Sequence, residues 1–333
     1  MVDNDIRLIP EIPDTLAEAA QNGTLIPFIG AGVSCLAGCP NWTELADGAL
    51  HQLIATGGFS YAQLAQLEGV SPRVKLSLAL SLQEELKVNI DFKALLHNKQ
   101  NWKSDPRGHR VYAALSRLGS RFVTTNYDEW LDDDMPVHDA SVPESASTVA
   151  NSPPTPRTVF WKSSDLTAAN LTLPNTVFHL HGSLRDPGRM VLTTADYLIH
   201  YASDRRKPID QENIVLTFLD GLFANNNILF VGYGLKELEI LEYIVLKARR
   251  TSVAAVAPRH FLLEGFFSHQ LQLMLFMKRY YRDCGIELIP FLMDDAGRDQ
   301  LLNVLEEFAT RLPAKRMAVL AELNLMEELL NAK

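Results

Sequence analysis

The chain has 333 residues, 47% of them hydrophobic and 21% charged, with a formal net charge of -9. That is the composition of a globular protein long enough to bury a large core, and the acidic balance argues against a chain built mainly to grip nucleic-acid phosphates. No apolar run approaches the roughly 18 to 20 residues that span a bilayer, so no membrane contact is expected. In chain order, the N-terminus MVDNDIRLIPEIPD has no apolar run, so no leader and a cytoplasmic setting are expected. The first apolar run, at 25–29, predicts a buried strand, and "FIGAGVS" carries it into a glycine turn and a helix. Gly30 and Gly32 let a backbone approach a pyrophosphate closely, and Ala31 and Ser34 add donors beside it. A GxG pair also serves an ordinary tight turn, and the residues leave both readings open. In the following GCPNWTEL, Asn41 and Thr43 are candidate helix caps. Cys35, Cys39 and Cys284 are the three cysteines of the chain. They make no CxxC pair, so a reducing compartment and no metal site are expected.

Residues 51–104 read as a helical insertion without a strand. The next run, 122–125, predicts a strand that ends in "TTNYDEW". Asn126 can hold a ribose hydroxyl or a water and Asp128 can orient it, or the two form an Asx turn. Residues 132–158 are rich in Pro, Ser and Asp and predict a long surface excursion. The run 177–180 leads to His181, followed by Gly182 and Ser183. Imidazole suits general-base work near neutral pH, and His179 and His181 fall on one strand face, although a structural histidine fits the same pattern. After the run 228–231, Gly232 and Gly234 repeat the strand–glycine–helix pattern. The helix from Leu235 sets Leu238, Leu241, Val245 and Ala248 on one face, with Lys247, Arg249 and Arg250 in its last turn. Runs at 253–257 and 286–292 predict two more strands, and 298–333 a helical tail. Strands alternating with helices predict an α/β fold: a Rossmann-like parallel sheet with helices on both faces, plus the helical insertion. Ligands in such sheets bind beyond the carboxyl ends of the strands.

GAGVS, TTNYD, LHGS and VGYG, in that order, resemble the sirtuin family, and more closely its sirtuin-like branch of bacterial anti-phage defence. The resemblance covers most of the chain and implies a single sirtuin-like domain over 1–333. It implies NAD as substrate, with Gly30, Ala31, Gly32, Ser34, Asp128, Gly232 and Tyr233 binding it and Asn126 and His181 catalytic. The chain departs from the protein deacylases of the family in two places. RDPGRMVLTTADYLIHYA has no cysteine where they carry a four-cysteine zinc module, and GCPNWT stands where they have GIPDFR. The resemblance therefore implies hydrolysis of NAD to nicotinamide and ADP-ribose, for NAD depletion during infection. The alternatives are a deacylase or ADP-ribosyltransferase using the same pocket, and a non-catalytic module sensing NAD or ADP-ribose. It also implies control by homo-oligomerisation, or by a HerA-like ATPase or short Argonaute partner. The Leu- and Met-rich segment from Arg316 points the same way toward assembly.

Overall fold

The computed structural model describes residues 6–97, 106–134, 155–201, 213–234 and 260–312. Seven strands form one all-parallel sheet: β1 (Leu25–Ile29), β2 (Arg121–Thr124), β5 (Thr158–Phe160), β6 (Thr176–His179), β7 (Asn227–Val231), β8 (His260–Phe266) and β9 (Ile286–Leu292). Two further short strands, β3 (Asp133–Asp134) and β4 (Thr155–Pro156), pair as an antiparallel ribbon. The sheet order is β5-β6-β2-β1-β7-β8-β9. From β1 the chain passes to β2, then to the edge strand β5 and back to β6 between them, before it places β7 on the other side of β1. The strand order therefore reverses between β1 and β7, and in an open parallel sheet the ligand crevice lies at that point.

Strand alternation sorts the core into two layers. Leu25 and Ile29 of β1, with Leu229 and Val231 of β7, pack with helices α7 (Pro106–Leu118) and α11 (Gln300–Arg311) on one face. Ile26, Phe28, Ile228 and Phe230 pack with α9 (Ile214–Asn225) and α10 (Leu271–Asp283) on the other. Both faces are thus covered, which is why the central strands read as unbroken apolar runs.

A third cluster belongs to the helices between β1 and β2. In it α3 (Trp42–Ala55), α5 (Pro72–Leu86) and α6 (Phe92–Leu96) pack on Tyr127, Leu184, Met190 and Leu192. Those four residues follow the carboxyl ends of β2 and β6, so the helices sit over the end of the sheet where the crevice is. Helix α3 starts where its sequence says it should. The Asn41 side chain accepts from the Thr43 and Glu44 amides, and Glu44 reaches back to the Asn41 amide. Helix α1 (Asp14–Gln21) precedes β1, the next, α2 (Ala31–Leu36), begins directly at the glycine turn, and α4 (Tyr61–Gln66) lies between α3 and α5.

The expected strand at 253–257, the helix from Leu235 and the tail beyond Leu312 lie outside the described residues. Four strands were not foreseen, β5 and β8 of the sheet and the ribbon pair β3 and β4. The expected surface excursion at 132–158 also differs at its ends. Asp132 and Arg157 are buried, because Asp132 pairs with His179 and Arg185. Arg157 in turn donates to the Leu131 and Asp133 carbonyls and the Ser116 hydroxyl.

Candidate active site

The glycine turn after β1 locks onto the end of β7. The Gly30 amide donates to the Val231 carbonyl and the Gly32 amide to the Gly232 carbonyl, each at 2.9 Å. A Cβ at Gly30 would lie 2.6 Å from the Gly232 carbonyl oxygen and one at Gly32 2.9 Å from it. The glycines are required here by the approach of the two turns to each other, and their amides face β7. Tyr233 packs against Phe28 and Phe230, with ring centroids 5.0 and 5.8 Å away.

Beside this turn, Ser34, Asn126 and Asp128 form one buried network. The Asn126 side-chain amide donates to the Gly30 carbonyl at 3.0 Å and to Ser34 Oγ at 2.7 Å. Ser34 Oγ donates to Asp128 Oδ2 at 2.6 Å. Asp128 Oδ1 accepts from the Trp130 amide and, at 3.5 Å, from the Tyr112 hydroxyl. Burial pushes the Asp128 carboxyl above its ordinary value, and the Ser34 bond opposes that rise. The network ties α2 to the segment after β2. Both N–H groups of the Asn126 side chain are engaged, so its Oδ1 remains to accept a bond from a water or hydroxyl.

Asn126, Asp128, Thr125, Ser34, Ala31 and Trp42 line a cavity of about 30 Å³. That is room for a water and not for a sugar. Residues 202–212 and 235–259 lie outside the described set.

Replacing Ser34 by alanine should cost about 1–3 kcal/mol at pH 7, because it leaves Asp128 buried without its closest donor. A raised folded pKa gives stability that is present at low pH and lost as pH rises through it. The cost should therefore shrink as pH falls and Asp128 takes up its proton, and denaturant unfolding from pH 7 downward measures the difference.

His181 lies past the end of β6, fully buried. Its Nε2 is 2.7 Å from the Tyr201 hydroxyl and its Nδ1 3.3 Å from the Tyr197 hydroxyl. Helix α8 (Thr194–His200) supplies Tyr197 and leads into Tyr201. His200 packs edge-on against His181, and burial, with His181 beside it, lowers its pKa to about 4. The His181 main chain is linked to the loop of Tyr127: Val191 donates to the His181 carbonyl, and the Tyr127 hydroxyl to that of Val191. Gly182, which follows, has a φ of +80°. The structure thus gathers Ser34, Asn126 and Asp128 into one network and sets His181 in a separate aromatic pocket under α8. Sequence reasoning missed Tyr197 and Tyr201, although their i, i+4 spacing places both phenols on one helix face.

Among the described residues no group of three or more His, Cys, Asp or Glu side chains is placed to hold a metal ion. No helix among them is long and apolar enough to cross a membrane. The SIR2-like domain family matches residues 120–289, just over half of the chain and the whole span from β2 into β9. The chain belongs to the SIR2-like family. This SIR2-like chain is also similar to Defense-associated sirtuin 2 of Bacillus subtilis, 23% identical over 254 residues. The similarity covers 72% of the SIR2-like chain but only 20% of that relative. The chain thus spans about a fifth of the relative's length.

Proposed function

We propose that this chain hydrolyses NAD to nicotinamide and ADP-ribose, in a defence role that depletes the cell of NAD. The observation that carries the reading is the corner at the β1–β7 reversal. There a SIR2-like chain sets Asn126, both of its side-chain N–H groups engaged, in the wall of a water-sized cavity beside its glycine turn. Cleavage at the nicotinamide ribose passes through an oxocarbenium-like state with a leaving group that is already cationic, so a held water and a base suffice. Asn126 Oδ1 accepts from the attacking water and orients it. The proton passes to His181, which sits in its own pocket, through the Tyr201 hydroxyl that its Nε2 already touches. Gly30 and Gly32, their amides taken by the Val231 and Gly232 carbonyls, set the start of α2 at the crevice, and Ala31 there meets the phosphates. The defence role rests on the name of the Bacillus subtilis relative, and it calls for control of the activity by self-assembly or by a partner.

The test is NAD turnover by the purified chain, with nicotinamide and ADP-ribose quantified by chromatography. Release of both in equal amounts, without an acyl-lysine peptide or other acceptor, is expected. Asn126→Ala should lower the rate about 10- to 100-fold, the cost of a misplaced reactant. Turnover only when an acceptor peptide is added would establish a transferase or deacylase instead, and binding without turnover a sensor.

A further inference from the structure

A second buried polar cluster lies immediately behind this corner. His179 closes β6 and is fully buried. Its Nδ1 is 2.9 Å from the Asn126 main-chain carbonyl and its Nε2 is 2.8 Å from Asp132 Oδ1. Both partners are acceptors. A neutral imidazole has one N–H and one lone pair, so in either tautomer one contact would set a lone pair against an oxygen. The Arg185 cation in contact with Asp132 favours its carboxylate form over a protonated one. Asp132 Oδ2 accepts from Arg185 Nε at 2.8 Å and Nη2 at 2.7 Å, which is carboxylate geometry.

We propose that His179 is an imidazolium at neutral pH and acts as a positioning residue: clamped by Asp132 and Arg185, it fixes the Asn126 main chain and so the aim of the Asn126 side chain. The Asn126 peptide is held on both sides, its amide donating to Thr124 Oγ1 at 3.0 Å and its carbonyl accepting from His179. Burial presses His179 to lose its proton, but the bond and charge of Asp132, the Asn126 carbonyl and the charge of Asp128 together hold its pKa above the ordinary value. The surrounding charges are Asp132 and Arg185, Glu129 at 3.6 Å from Arg185, Asp128, and His97, whose charge acts on Asp128. Because the folded pKa is raised, the stability His179 supplies is full below its unfolded value of about 6.5. It is lost as pH climbs through the folded value. The effect on turnover rests on the hydrolase reading; the charge of His179 does not.

Nitrogen-15 NMR of the imidazole side chains, with His179 assigned by its absence in His179→Gln, reads the charge directly. Both ring nitrogens of His179 should be protonated at pH 8, and a neutral tautomer at that pH overturns the proposal. Asp132→Asn removes the counter-charge and should bring His179 back into the ordinary titration range. Turnover by that variant should then fall at least about tenfold between pH 6 and pH 8, with no such fall in the wild type. A variant that loses melting temperature but keeps a pH-independent rate would show a merely structural histidine and overturn the positioning role. If the wild type turns over no NAD at all, the hydrolase reading fails while the spectrum still decides the charge. If Asp132→Asn does not fold, the wild-type spectrum alone decides it.

Discussion

His181→Ala should slow NAD turnover about 100- to 10,000-fold, the contribution of a positioned general base. The imidazole is fully buried between two phenols. Its removal therefore also empties a packed site, and a stability loss of about 1–3 kcal/mol should accompany the rate loss. The two effects separate by measurement. Rate is compared per folded molecule, at a temperature well below the melting transition of the variant. If His181 only packs against Tyr197 and Tyr201, the melting temperature falls and the rate per folded molecule stays at the wild-type value, and the general-base assignment fails. Tyr201→Phe sharpens the comparison. It keeps the ring that packs on His181 and removes the hydroxyl 2.7 Å from Nε2, so a rate loss in that variant traces the proton path through the phenol. Nearby His200 is held neutral at pH 7 by a pKa of about 4, so it places no competing cation beside the imidazole.

The central strands were legible because a strand buried on both faces has to be apolar at every position. The runs that became β1, β2, β6 and β7 show this without reference to anything distant, and β9, at the sheet edge, was read from its apolar residues despite Glu287. β8 was missed because Glu264 and Gly265 break its run. Gly265 is small for a reason visible only in three dimensions, since a Cβ there would lie 2.4 Å from Met293 Sδ. β5 is three residues long and owes its place to pairing with β6, which no local pattern encodes. Within the site, Ser34, Asn126 and Asp128 were picked out as candidates from strand ends and turn chemistry, and the fold joins them directly by hydrogen bonds. His179 and His181 were read as one face of a strand. The strand ends between them, however, and the two rings go to different partners. Asp132 looked like the start of a long surface excursion. Its partners stand 47 and 53 positions away, and such a pairing becomes visible only once β2 and β6 are adjacent.

Gly232→Ala should destabilise the chain by about 2–5 kcal/mol, the sum of a left-handed backbone penalty and a clash against main chain. Gly232 has a φ of +60°. A Cβ on it would lie 2.6 Å from the Val33 amide nitrogen and 3.0 Å from Val33 Cγ2. The Val33 amide already donates to the Gly30 carbonyl at 3.1 Å, so relief requires α2 to move away from β7. That movement breaks the bond from the Gly32 amide to the Gly232 carbonyl and carries Ser34 away from Asn126 and Asp128. Gly57→Ala provides the control. Gly57 has a φ of +78°, and a Cβ on it would meet nothing within 4 Å, so substitution there reports the backbone penalty alone, about 1–2 kcal/mol. The excess loss at Gly232 over Gly57, measured by denaturant unfolding, is the steric cost of separating the two turns. Equal losses at the two positions would mean that the turns part without resistance, and the lock between β1 and β7 would then have no energetic substance. If the excess is found, Gly232→Ala should also lose NAD turnover beyond its loss of folded protein, because the displaced α2 takes with it the Ser34 and Gly30 contacts that aim Asn126.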